Sequence, residues 1–278
     1  MKQIKTIVRF LFYIFVVSSL FISCKKQEEH DSDTAAALDC ATAEELFLDA
    51  SLVCDEAGYK NGAFNGILSA PCVTVTYDSL NTADEDTITI DFGTVNCISN
   101  DSIYRRGKMT IVYNGNYYDS AVTHTVTFNN FYQSDHQLNG SFTVLNNGQD
   151  STSGHTKFHM STNGNVILST GGTISWNASR DIEWTAGEST ANWADNLYLI
   201  LAGGNGSGTQ HIGRPFVDQI STPLLKCCAF GCRKHFTQGQ IGVKPNEKIL
   251  RTIDFGGGAC DEVADVNIDG EHHTVFLR

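Results

Sequence analysis

Thr252-Ile253-Asp254-Phe255-Gly256, followed by Cys260, repeats a pentapeptide from earlier in the chain, Thr89-Ile90-Asp91-Phe92-Gly93, followed by Cys97. In both copies apolar and polar residues alternate, the period of a strand with one buried face, and a turn segment and a further cysteine lie upstream. Each copy reads as the second arm of an antiparallel hairpin. If Cys72 faces Cys97 across such a hairpin, the turn falls at residues 84–85, inside Thr82-Ala83-Asp84-Glu85-Asp86. For Cys232 and Cys260 the midpoint is residue 246, inside the turn-forming Lys244-Pro245-Asn246-Glu247. The spacing predicts two disulfides, Cys72 with Cys97 and Cys232 with Cys260, each closing the open end of its hairpin.

The same alternation extends outward from Ile67 to Arg278 in short runs bounded by Gly, Asn, Asp and Ser. Val73, Val75 and Tyr77 alternate with threonines, and Ile88, Ile90 and Phe92 do the same. Further strands are expected at 108–114, 121–129, 140–145, 155–161, 165–169, 173–177, 180–185, 196–201, 239–243, 249–255, 264–269 and 273–277. Asn114-Gly115, Asn163-Gly164, Gly171-Gly172 and Asp269-Gly270 supply turn signals. This pattern predicts an all-β protein, an antiparallel meander curled into a half-barrel or folded into a sandwich. One N-terminal helix is predicted within Asp39 to Tyr59, about residues 41–57, to lie against one face of the sheet. Thr42 and Glu45 are spaced as a capping box, Gly58 is the stop, and Leu46, Phe47, Leu52 and Val53 form an apolar stripe.

The first 23 residues carry a positive start (Lys2, Lys5, Arg9) and an apolar run from Phe10 to Ile22, too short to span a bilayer as a helix of about 20 residues. Leu20-Phe21-Ile22-Ser23-Cys24 ends that run on a cysteine and resembles the lipobox of bacterial lipoproteins, in which the thiol is diacylated and becomes the mature N-terminus. The resemblance implies residues 1–23 as signal peptide and Cys24 as lipid attachment site. An ordinary secretory signal is the competing reading. Residues 24–37 (CKKQEEHDSDTAAA) are charged and poor in large apolar side chains, and are expected to form a flexible tether to a single β-rich domain, 38–278. Glu28-Glu29 resembles the surface-export signal of Bacteroidota lipoproteins. Tripeptides such as Asp78-Ser79-Leu80 and Asp119-Ser120-Ala121 resemble the O-glycosylation acceptor of exported proteins from the same group.

Eight of the nine cysteines remain once Cys24 is assigned to lipid, an even number that suits disulfides in an exported chain. Cys40 and Cys54 would lie about 21 Å apart along one helix and cannot pair with each other. A helix cysteine bonded to Cys227 or Cys228 would staple helix to sheet. The formal charge of −12 becomes more negative when Lys2, Lys5 and Arg9 are removed, which argues against nucleic acid as a partner.

Motifs for chemistry are weak. Cys227-Cys228-x₃-Cys232-x₂-His235 lacks paired zinc-ligand spacing, and Asp265 to Gly270 opens like an EF-hand loop but has Phe276 where a glutamate is needed. Gly203 to Gly208 lacks a P-loop lysine and is expected to be a flexible loop. No metal or other cofactor is expected. No nucleophile elbow or His-Glu-x-x-His is present, and His124 and His159 read as strand histidines. Trp176, Trp184 and Trp193, with Tyr117, Tyr118, Phe131 and Tyr132, would stack on sugars if exposed on one face; cross-strand packing is the alternative.

Ile249 to Leu277 (ILRTIDFGGGACDEVADVNIDGEHHTVFL), with Ser179 to Trp184 and Ile220 to Leu224, resembles a group of uncharacterised Bacteroidota envelope lipoproteins ending in an aromatic, Gly-rich, Cys-Asp hairpin. The resemblance implies an outer-membrane or surface lipoprotein and carries no activity. The expected function is a lipid-anchored, non-catalytic binding or scaffolding module with an unknown protein or glycan partner. A glycan-binding accessory protein and an exported hydrolase are the alternatives.

Overall fold

The computed structural model describes residues 30–58, 66–78, 85–190 and 192–278, and the fold is that of the unit Asp33–Arg278. The signal segment, Cys24, residues 25–29 of the predicted tether and the centre of the first predicted hairpin turn lie outside the described residues.

One antiparallel sheet of fifteen strands makes up the domain. Its strands are β1 (Thr74–Asp78), β2 (Asp86–Asp91), β3 (Cys97–Ile98), β4 (Tyr104–Tyr113), β5 (Thr123–Gln133), β6 (His136–Gln149), β7 (Thr156–Ile167) and β8 (Thr173–Ala186). They continue with β9 (Leu197–Ile200), β10 (Gly203–Thr209), β11 (Pro215–Cys227), β12 (Gln238–Pro245), β13 (Arg251–Gly257), β14 (Val263–Ile268) and β15 (Glu271–Phe276). Spatial order follows chain order. β9 and β10 both lie between β8 and β11, so they are two halves of one interrupted strand. The sheet is a meander that curls without closing, so of the two predicted shapes the single half-barrel forms and the two-sheet sandwich does not.

The helix α1 (Ala35–Gly58) is what the sheet curls around: it packs on β2, β6, β7, β8, β12 and β13. Every residue from Asp39 to Ala57 is buried. The helix lies against one face of the sheet, as predicted, and the predicted range of about 41–57 and its capping box are corrected. It starts earlier because the Asp33 carboxylate accepts from the backbone N–H of Ala35 at 3.1 Å and an alanine run, the best helix former, comes directly after. Thr42 and Glu45 form no capping box: Thr42 donates to the Leu38 carbonyl, and Glu45 turns to His235 and Phe236 in the segment between β11 and β12. Residues 35–37, assigned to the tether in the 24–37 boundary, are helical, with Ala36 and Ala37 buried.

Two glycine positions explain why predicted turns and loops are strands. Asn163-Gly164 is internal to β7, where a Cβ on Gly164 would meet the Phe47 ring at 2.7 Å, so the glycine lets the helix sit close to the sheet. Gly203 to Gly208 is not a loop: β10 runs through it, and a Cβ on Gly206 would stand 2.0 Å from the Asp218 carboxylate. The glycines mark close approach between β10 and a buried ion pair. The Asp269-Gly270 turn joins β14 to β15, both residues at positive φ (54° and 86°), as a two-residue hairpin loop requires.

Cys72 and Cys97 form a disulfide (Cα–Cα 5.8 Å), as do Cys232 and Cys260 (4.6 Å). The second closes the open end of the β12–β13 hairpin, whose turn carries a Lys248 N–H to Pro245 carbonyl bond, beside the midpoint the spacing gives. Cys40, Cys54, Cys227 and Cys228 are unbonded, so the predicted staple from helix cysteine to Cys227 or Cys228 is absent. Ion pairs tie the helix to the sheet instead.

Candidate functional site

Successive strand residues face opposite sides, and on β8 that alternation separates two chemistries. Toward the helix point Ile174, Trp176, Arg180, Ile182 and Trp184, all buried. Away from it point Asn177, Ser179, Asp181 and Glu183.

On the inner side the helix carboxylates meet partners from the sheet and from the segments that link its strands. Arg180 bonds Glu44 at 2.8 Å and also bonds Asp218, while Asp49 holds Arg233 at 2.8 Å and Arg105, which also bonds Asp101 at 2.8 Å. Glu45 accepts from the Phe236 N–H and pairs with His235 at 3.0 Å, and Asp39 pairs with His211 and Arg278, each at 2.7 Å. Burial pushes the Asp49 carboxyl up, but the Arg233 and Arg105 guanidinia outweigh it and hold the group well below the usual carboxylate range. One guanidinium serves both Glu44 and Asp218, and burial lifts Asp218 to about 6. At the C-terminal end of the helix Tyr117 donates to Asp55 (3.4 Å) and stacks on His124 with ring centroids 3.7 Å apart. Burial raises Asp55 to about 7 and lowers His124 to about 4. Beside Glu44 and Arg180 these pairs leave a cavity of about 10 Å³, the size of one water molecule.

The outer side offers an open trough of about 700 Å³ across β8, β10, β11 and β12. Register builds it in rows. Asn177 lies opposite Ser207, Ser207 opposite Val217, and Val217 opposite Lys244; in the next row Asn205 lies opposite Gln219. Ser179, one step along β8 from the Ala178–Gly206 pair, closes that second row beside Asn205. The trough exists because β10 contributes only glycine, serine and asparagine to its lining. Amides and hydroxyls line it, Lys244 adds one ammonium, the Asp218 carboxylate reaches its floor from the inner ion pair, and Val217 and Leu250, 55% and 53% exposed, add apolar surface.

At the β7 edge of this trough three side chains form a continuous chain. His159 on β7 lies directly across from Asp181 on β8, and Ser161 across from Ser179. The His159 Nδ1–H donates to Asp181 Oδ1 at 2.7 Å, and Ser179 Oγ lies 3.2 Å from His159 Nε2. A carboxylate on Nδ1 fixes the proton there and leaves the Nε2 lone pair toward the serine hydroxyl. A second pair, His155 with Glu183 at 2.8 Å, repeats the first two members one row away.

The residues singled out by sequence divide accordingly. Cys72, Cys97, Cys232 and Cys260 are disulfide-bonded, and Cys24 lies outside the described residues. Trp176, Trp184, Trp193, Tyr117 and Phe131 are buried, and Arg106 covers the Tyr132 ring at 3.8 Å, so these aromatics make no exposed sugar platform. His124 is internal, and His235 is bonded to Glu45 rather than to a metal. Asp265 pairs with His272 at 2.6 Å on the β14–β15 hairpin. Among the described residues no group of three or more His, Cys, Asp or Glu is arranged to hold a metal ion, and no helix is long and apolar enough to cross a membrane. Ser179 and Asp181 were missed because no local motif marks them. The midpoint of His159 and Asp181 is residue 170, beside Gly171-Gly172, so the arithmetic that paired the cysteines would have paired these two.

Comparison with family models, with curated proteins and with solved structures gives no match. Function has to be read from the geometry. Two features are usable: a polar trough on the outer face, and a hydrogen-bonded serine, histidine and aspartate at its edge.

Proposed function

We propose that the chain is a lipid-anchored protein of the outer membrane, tethered through Cys24, whose β domain acts as a binding or scaffolding module. The anchor rests on the sequence: a short apolar run that ends on Ser23-Cys24 behind a positive start. Several acyl chains on one thiol exceed the two signals needed for stable membrane attachment. The outer trough supports binding, because it gathers amide, hydroxyl and ammonium groups over a glycine-thinned strand of the sheet. Such a lining suits a ligand rich in hydroxyl or carbonyl groups, a glycan or an extended peptide, held by hydrogen bonds instead of ring stacking.

Two measurements test this. Protein extracted from its native membrane should have an intact mass that begins at Cys24 and includes acyl chains; an unlipidated chain retaining residues 1–23 overturns the anchor. The full chain should bind members of a panel of glycans and peptides, and Gln219→Ala or Asn205→Ala should weaken that binding at least tenfold. Binding indifferent to both substitutions removes the trough from the account.

A further inference from the structure

We propose that Ser179, His159 and Asp181 form an acyl-transfer site that hydrolyses short-chain carboxylic esters carried on a polar ligand in the outer trough. The inference rests on the trough binding a ligand and goes beyond it by assigning a reaction.

Three observations support it. The three groups stand in the order that general-base activation of a hydroxyl requires, Asp181 Oδ1 at 2.7 Å from His159 Nδ1 and Ser179 Oγ at 3.2 Å from His159 Nε2. The serine, and not the histidine or the aspartate, belongs to the trough lining, so the nucleophile is the member that faces a bound ligand. Asn205 and Gln219 sit in the same row across the trough and carry amide N–H groups able to donate to a carbonyl oxygen as it becomes anionic. Val217 and Leu250 give the trough an apolar part for a short alkyl group, while its amides and hydroxyls suit the polar carrier.

The reaction balances with water as the second reactant. Ser179 Oγ bonds to the ester carbonyl carbon while its proton passes to His159 Nε2 and the carbonyl electron pair moves onto oxygen. Collapse of that adduct breaks the bond to the carrier oxygen, which takes the proton from His159 and leaves as the alcohol. Water then adds to the acyl carbon and gives a proton to His159; the bond to Ser179 Oγ breaks and Oγ recovers that proton. Ester and water become acid and alcohol. Ser179 and His159 are catalytic residues, whereas Asp181 positions the imidazole.

The test uses the full chain with both disulfides intact, a fluorophosphonate probe and p-nitrophenyl acetate. The probe should add its mass to the peptide containing Ser179, and hydrolysis should saturate with substrate. Ser179→Ala should abolish labelling, and His159→Asn should lower hydrolysis at least 100-fold, the range of a positioned general base. Asp181→Asn should lower the rate and change its pH profile, an effect that a purely structural role would not produce. His155→Asn, which alters the neighbouring His–carboxylate pair outside the trough lining, should leave labelling unchanged. All four positions are on the outer face, so loss of folding does not confound the result. No labelling of Ser179, or hydrolysis by Ser179→Ala equal to that of the unaltered chain, overturns the proposal. If ligand binding remains sensitive to Gln219→Ala while Ser179 is inert, only the reaction falls and the binding role stands. If binding is also absent, both fall.

Discussion

Arg180 and Asp181 are neighbours in sequence and face opposite sides of β8. Arg180 enters the interior, where it and its partner Glu44 are 4% and 5% exposed; Asp181 stands outside with His159, the two being 62% and 38% exposed. Their bond lengths are nearly equal, 2.8 and 2.7 Å. Their consequences differ because water screens the outer pair and not the inner one. A buried ion pair gains little over a well-packed apolar pair, yet removal of one partner strands the other charge in a poor solvent. An exposed pair adds little to stability. The inner ladder commits its charges to holding the helix, and the outer one is where the proposed acyl-transfer site rests.

The sharpest way to break this contrast is Arg180→Met. It leaves Glu44 and Asp218 without their guanidinium, and a loss of about 3–5 kcal/mol is expected in urea denaturation. Adding Glu44→Gln and Asp218→Asn should recover much of that loss. A cost below about 1 kcal/mol would place the inner pair in the same class as a surface pair.

Replacing Cys232 and Cys260 together by serine should cost about 3 kcal/mol, because the bridge joins residues 28 positions apart and restricts the unfolded chain between them. The same denaturation measurement, with and without reductant, checks it. An effect clearly larger than that of Arg180→Met would mean the covalent staple, and not the ion pairs, holds the curl.

The interior also predicts a pH signature. Asp55 titrates at about 7 when folded against an ordinary 3.8, so between those values the folded chain holds the extra proton and stability falls as pH rises. His124 titrates at about 4 against an ordinary 6.5; there the folded chain holds fewer protons, and stability rises with pH. Both groups touch Tyr117, and their slopes offset each other. Asp55→Asn should therefore expose the His124 slope, and the denaturation midpoint of the variant should climb more steeply than that of the unaltered chain between about pH 4.5 and 6.5. Parallel pH profiles would show that Asp55 does not titrate in that range.

The smallest stability effect is expected outside. His159→Asn should shift unfolding by less than about 1 kcal/mol while abolishing fluorophosphonate labelling of Ser179. A large destabilisation would mean the outer pair is structural after all.

The meander, most of its described turns and the Cys232–Cys260 disulfide were legible from residues 67–278 because each depends on local alternation, turn chemistry or symmetric spacing about a turn; Cys72 and Cys97 also bond, although β1 and β2 pair about residues 82–83 and not 84–85. The helix was legible as an element but not as a buried one. A stripe of Leu46, Phe47, Leu52 and Val53 suggests one apolar face, and nothing near Glu44 or Asp49 announces that Arg180 and Arg233 will meet them, 136 and 184 residues away. The aromatics obeyed the same rule: their type was plain, and their burial depended on which way each strand faced.

By itself the sequence determined what short-range physics governs: the strand period, the turn residues and the hairpin cysteines. Only the tertiary structure decided that the sheet wraps the helix, that the acidic residues of the helix are neutralised inside, and that Ser179, His159 and Asp181 line up at the edge of a trough. Those outcomes depend on the register between strands distant in the chain. A shift of one residue would exchange the two faces of β8, turning Arg180 outward and Asp181 in.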